Sequence, residues 1–146
     1  MTVDCAVLCT VLFYRANCRL CCAVSAVSVG AVSDGAVAEV TASTSLADYL
    51  RDQCGLRGTK VMCRGGMCGA CVVTARVTDP ATGQTEVRAV NSCLAPVHNC
   101  QGWQVETVQA IGDRKVGYHP AQSRLAQMDG TQCGYCSPGM VMSMYR

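Results

Sequence analysis

Three cysteines within one short run, Cys63-Arg-Gly-Gly-Met-Cys68-Gly-Ala-Cys71, and a fourth, Cys93, after 21 intervening residues, constrain this chain more than any other feature. Thiols at C-x4-C-x2-C spacing can converge on one point only if the backbone wraps closely around it. Gly65, Gly66 and Gly69 allow the backbone angles and close approach that such a wrap needs. Backbone N–H groups in a loop of this kind turn inward and stabilise anionic sulfur. The fourth thiol has to arrive from a distant segment, and Cys93 stands just after a strand-like run.

This is the ligand spacing of a plant-type 2Fe–2S cluster, in which each iron takes two cysteine sulfurs and two bridging sulfides. All-cysteine zinc sites more often pair two short C-x2-C units, so the Gly-rich loop favours iron–sulfur over zinc. Such ligands must be reduced thiolates, which fits a reducing, cytoplasmic setting. The remaining cysteines of the thirteen are five before residue 23, the pair Cys133 and Cys136, and the isolated Cys54 and Cys100. Residues 1–23 read as an unassigned Cys-rich extension, expected to be poorly ordered. Asp4 stands where a signal peptide wants basic charge, and Arg15 and Arg19 interrupt the apolar run from Ala6 to Phe13. No stretch has the roughly 18 uninterrupted apolar residues of a membrane span. Cys18-x2-Cys21 has redox-dipeptide spacing but no second pair, and is read as chance in a Cys-rich tract. A net charge of +2 gives no electrostatic case for nucleic acid or a membrane surface.

Along the chain, Val24 to Val40 suggests a hairpin about Asp34-Gly35. Thr44 to Arg51 reads as a helix with a capping box at Ser45 and Asp48, stopped by Gly55. Strands are expected over 72–78, 86–90 and 103–108, the first two joined by a turn at 79–83. The fold class is therefore α+β, with a ferredoxin-type unit over 24–110. Trp103 is expected to serve packing rather than electron relay. His119-Pro120 opens a helix over 121–128, and Ser137 and Pro138 are expected as N-cap and first residue of a last helix. Taken alone, Cys133-x2-Cys136 is half of a second cluster site, a redox dithiol or two buried thiols. Neither histidine is expected to be a ligand, and no acid, base or nucleophile constellation stands out.

With both motifs placed, the chain resembles the N-terminal iron–sulfur region of the xanthine dehydrogenase and aldehyde oxidase (molybdenum hydroxylase) family. The matching stretches are Gly58 through Cys71, Asn91 through Pro96, His119 through Gln122 and Gln132 through Tyr145. The resemblance implies a β-grasp 2Fe–2S domain followed, over 111–146, by the start of an all-α helical-bundle 2Fe–2S domain. By matched position, Cys63, Cys68, Cys71 and Cys93 would bind the first cluster. Cys133 and Cys136 would be half of the second site, and Gln132 would contact the molybdopterin. The family's closing Cys-x-Cys pair is not found by Arg146, so the chain reads as truncated in its second cluster domain. The implied role is electron transfer from a molybdopterin centre toward FAD, with FAD and molybdopterin domains of a homodimeric parent enzyme as partners and no independent turnover by this chain. The wording around Val-Met-Cys63 and Cys71-Val-Val looks closer to animal aldehyde oxidases. The alternative reading is a non-catalytic fragment whose ferredoxin fold holds zinc or nothing, or serves as an interaction module.

One departure from the family loop bears on the site. Gly65 and Met67 stand where the family has Glu and Gly. If position 67 needs a positive φ, Met there would cost roughly 1 kcal/mol and crowd the cluster.

Overall fold

The structure is a computed structural model that describes residues 26–28 and 40–146. Its centre is an antiparallel hairpin of β2 (Val72–Thr78) and β3 (Thr85–Asn91), with Val72 paired to Asn91 and Thr78 to Thr85. Asp79 closes the turn. Its carboxylate accepts from the Ala81 N–H at 2.8 Å and the Thr82 hydroxyl at 2.9 Å, and Gly83 takes φ +69°. A short β4 (Gln104–Glu106) pairs with the other edge of β2, and β1 (Ala26–Ser28) pairs with β4. The order is β1-β4-β2-β3, all neighbours antiparallel.

The expected helix forms in a modified shape. Ser45 caps α1 (Leu46–Asp48) by accepting the Asp48 N–H, and the chain then widens into a π-helical turn over Tyr49–Gln53. The reciprocal half of the capping box differs from expectation, because the Asp48 carboxylate takes the Ser45 hydroxyl at 2.8 Å. Gly55 follows in the left-handed region, as a helix stop requires. Leu46 and Leu50 are fully buried and pack with Leu56, Val73, Val97 and Val105. Burial of a leucine side chain contributes about 1.5–3 kcal/mol. Trp103 packs against this core, so its structural reading holds.

The strand expected over 103–108 is confined to Gln104–Glu106, because Thr107 begins a turn closed by Ala110 N–H. The Asp34-Gly35 turn and the extension 1–23 lie outside the described residues, although Ala26–Ser28 is indeed a strand.

Two helices follow. His119 caps α2 (Pro120–Gln127): its Nδ1 accepts from the Ala121 N–H, and Gln122 Oε1 accepts from the His119 N–H. Helix α3 (Ser137–Tyr145) starts one residue earlier than expected, with Cys136 as N-cap and Ser137 as its first residue. Proline in that first turn lacks only an N–H that has no helical partner anyway. α3 lies against α2 and β2. Val141 and Met142 are buried in it, and Val72 to Ala75, the first four residues of β2, are buried on both faces. Among the described residues no helix is long and apolar enough to cross a membrane.

Candidate metal centre

The hairpin explains the long spacing in the cysteine pattern. Two strands of seven residues each, their turn and Ser92 fill the interval between Cys71 and Cys93. The antiparallel register therefore carries Cys93 back to where Cys71 leaves the loop. Ser92 fastens that return, its N–H and Oγ both donating to the Cys71 carbonyl, at 3.3 and 2.6 Å. Asn91 adds a bond from Nδ2 to the Gly66 carbonyl at 3.3 Å.

Within the loop, the Gly65 and Cys68 N–H groups donate to Cys63 Sγ at 3.4 and 3.5 Å. The backbone bonds from Cys68 and then Gly65, helped by the Cys68 side chain, pull the Cys63 thiol down to about 6. Burial pushes the Cys93 thiol up, and the adjoining Cys71 thiol pushes it further. The loop thus holds Cys63, Cys68 and Cys71 within one short turn, and the hairpin returns Cys93 beside Cys71. Three loop thiols, a fourth returned by the hairpin and N–H groups aimed at Cys63 Sγ fit the donor set of a two-iron cluster.

Left-handed angles in the loop fall at Arg64, Gly66 and Gly69. A Cβ on Gly66 would run into Leu94 Cδ1. Met67 is not among the positive-φ residues and its side chain is 86% exposed, so the expected strain and crowding at Met67 are not found. The strained non-glycine residue is Arg64, at φ 51°, and both its guanidinium arms reach the Asp48 carboxylate at 2.8 Å. That hydrogen bond is the main reason the Asp48 carboxyl sits below its ordinary range.

Cys133 and Cys136 stand on the loop into α3 and are both exposed, which excludes two buried thiols. With Asp129, Thr131 and Gln132 they line a concavity of about 410 Å³. Cys136 is the N-cap of the nine-residue helix α3. The two loops touch: Tyr135 donates its hydroxyl to the Val61 carbonyl at 2.7 Å, and a Cβ on Gly139 would strike the Gly69 carbonyl. His98 is exposed on the turn Val97–Cys100, and His119 is occupied in capping.

Site roles for Arg64, Asp48, Ser92 and Gly139 are not foreseen from the sequence. Hairpin counting from Cys71 would have found Ser92. The ion pair joins residues sixteen apart and needs the fold to be seen.

Residues 31–98 match the family described as 2Fe-2S iron-sulfur cluster binding domain, and residues 107–146 match a second, [2Fe-2S] binding domain. The chain thus matches two successive 2Fe-2S domain families. Xanthine dehydrogenase of Oryza sativa subsp. japonica is 50% identical over 104 residues, 71% of this chain. Aldehyde oxidase 1 of Bos taurus is 46% identical over 106 residues, 73% of this chain. The chain spans about 8% of the length of these curated relatives. The solved aldehyde oxidoreductase of Desulfovibrio gigas superposes with TM-score 0.60 at 36% identity, covering 71% of this chain and 10% of that one. Quinoline 2-oxidoreductase of Pseudomonas putida 86 gives TM-score 0.59 at 30% identity, covering 70% of this chain and 57% of that one. The chain belongs to the iron–sulfur region of the xanthine dehydrogenase and aldehyde oxidase family. The nearly equal identities to dehydrogenase and oxidase give no support to a narrower placement with the animal aldehyde oxidases.

Proposed function

We propose that this chain transfers electrons through a plant-type 2Fe–2S cluster held by Cys63, Cys68, Cys71 and Cys93. It would serve as the iron–sulfur portion of a molybdenum hydroxylase-type oxidoreductase. The glycine-rich loop with N–H groups aimed at Cys63 Sγ, and the hairpin that returns Cys93 beside Cys71, carry this reading. When bound, the cluster supplies one-electron redox chemistry. The chain's own part is to hold the thiols on the loop and the hairpin end and to direct the Gly65 and Cys68 N–H groups at sulfur. The match of residues 31–98 to a 2Fe-2S cluster binding domain supports this reading over the zinc-module alternative.

On this reading, residues 24–110 are the β-grasp domain and 111–146 the opening of a helical-bundle domain. Cys133 and Cys136 supply half of a second cluster site, and Gln132 faces the molybdopterin of the parent enzyme. Its position on the exposed loop beside Cys133 supports that role. Electrons would pass from the molybdopterin centre toward FAD in a cytoplasmic homodimer.

Anaerobic reconstitution tests the first site. Expected are about two irons and two sulfides per chain with visible charge-transfer absorption. Stoichiometric zinc uptake without colour contradicts it.

A further inference from the structure

We propose that Arg64 is a positioning residue for the metal centre, gripped by Asp48 so that the turn from Cys63 to Cys68 keeps its N–H groups on Cys63 Sγ. This role rests on the cluster reading above and deepens it.

Four observations carry it. Arg64 adopts φ 51°, a left-handed conformation that a residue bearing a Cβ avoids unless its surroundings hold it there. What holds it is a two-armed contact, Nη1 to Oδ2 and Nη2 to Oδ1, each 2.8 Å. Exposed ion pairs generally contribute little, but a bidentate guanidinium–carboxylate pair is the geometry in which direction as well as charge is fixed. Asp48 is itself anchored: Ser45 donates its hydroxyl to Oδ2 at 2.8 Å, and the flanking Leu46, Ala47 and Leu50 are buried. Finally, the turn so held is the one whose next N–H groups, Gly65 and Cys68, point at Cys63 Sγ. Rigidity therefore runs from the buried helix through Asp48 and Arg64 to the loop that holds Cys63.

A purely backbone role and a positioning role make opposite forecasts for Arg64→Gly. Glycine relieves the left-handed strain but removes the grip. The full chain and its Arg64→Gly, Asp48→Ala and doubly substituted forms are reconstituted anaerobically. They are then challenged with an iron chelator while visible absorption is followed, and melting of each apo form serves as the folding control. Loss should be about tenfold faster in each single variant and no faster again in the double, the mark of two residues acting as one unit. Arg64→Lys, which keeps charge but not the fork, should behave like Arg64→Gly. An Arg64→Gly form as durable as the unsubstituted chain, or losses that multiply in the double, would overturn the positioning role while leaving the cluster reading intact. An unsubstituted chain that binds no iron would overturn both.

Discussion

The two cysteine loops of this chain are built by different means. The first thiol set is assembled by long-range structure: a hairpin returns Cys93 to Cys71, Ser92 and Asn91 stitch the return, and Asp48 reaches across from α1. The second pair is presented by local structure alone, at the start of α3, with both thiols exposed. A site made by tertiary contacts is specified once the domain folds. A site made by one helix end offers two donors and an open face. The contacts of Tyr135 with Val61 and Gly139 with Gly69 show that the second loop is nonetheless built against the first.

This contrast can be broken most directly by removing single thiols. Cys68→Ser should abolish the visible absorption of the first cluster, whereas Cys136→Ser should leave it. Equal bleaching by both would mean that the loops form one site.

The contact between the loops comes next. Gly139→Ala places a methyl group against the Gly69 carbonyl. Overpacking of this kind costs about 1–3 kcal/mol. Chemical denaturation should register that loss, and an unchanged midpoint would show that α3 docks more loosely than the close approach of Gly139 implies.

Alkylation of the reduced apo chain sharpens the comparison further. Burial pushes the Cys54 and Cys100 thiols up to about 11, so both should stay protected at neutral pH. Cys133 and Cys136 are exposed and should react early. Cys63, drawn down to about 6, is largely thiolate at pH 7 and should lead the first set. Mass-spectrometric mapping that finds Cys54 modified before Cys133 would contradict this order.

The smallest effect concerns acid. Asp48 has its carboxyl lowered by Arg64, so the pair's stabilisation is complete above the unfolded carboxyl's pKa, about 3.9. It fades as pH falls through the lower folded value. Apo-chain stability should therefore fall less steeply at low pH in Asp48→Asn than in the unsubstituted chain, as followed by acid titration of circular dichroism.

Much of the first site is legible in the order of residues. The C-x4-C-x2-C run names three ligands, and the strand pattern on either side of Asp79 to Gly83 implies the return that delivers Cys93. Ser45 as a cap and Pro120 as a helix start follow from local chemistry, and local chemistry is what a linear reading sees well. The π-helical turn after Asp48 leaves no such mark. Nor does the placement of the left-handed strain. The sequence directs attention to Met67 because it stands where the family has glycine. The fold instead puts positive φ at Arg64, where an acid sixteen residues upstream compensates for it. The α3 cap falls on Cys136 rather than Ser137, which sets the second thiol of the pair at the helix end itself.

The central claim is that Cys63, Cys68, Cys71 and Cys93 hold a one-electron carrier. Redox titration of the reconstituted chain, followed by visible absorption and electron paramagnetic resonance, tests it most directly. The account predicts reversible uptake of about one electron per two irons, at a low potential of roughly −400 mV as in plant-type ferredoxins. A chain that binds metal at Cys63, Cys68, Cys71 and Cys93 but takes up no electron would contradict it.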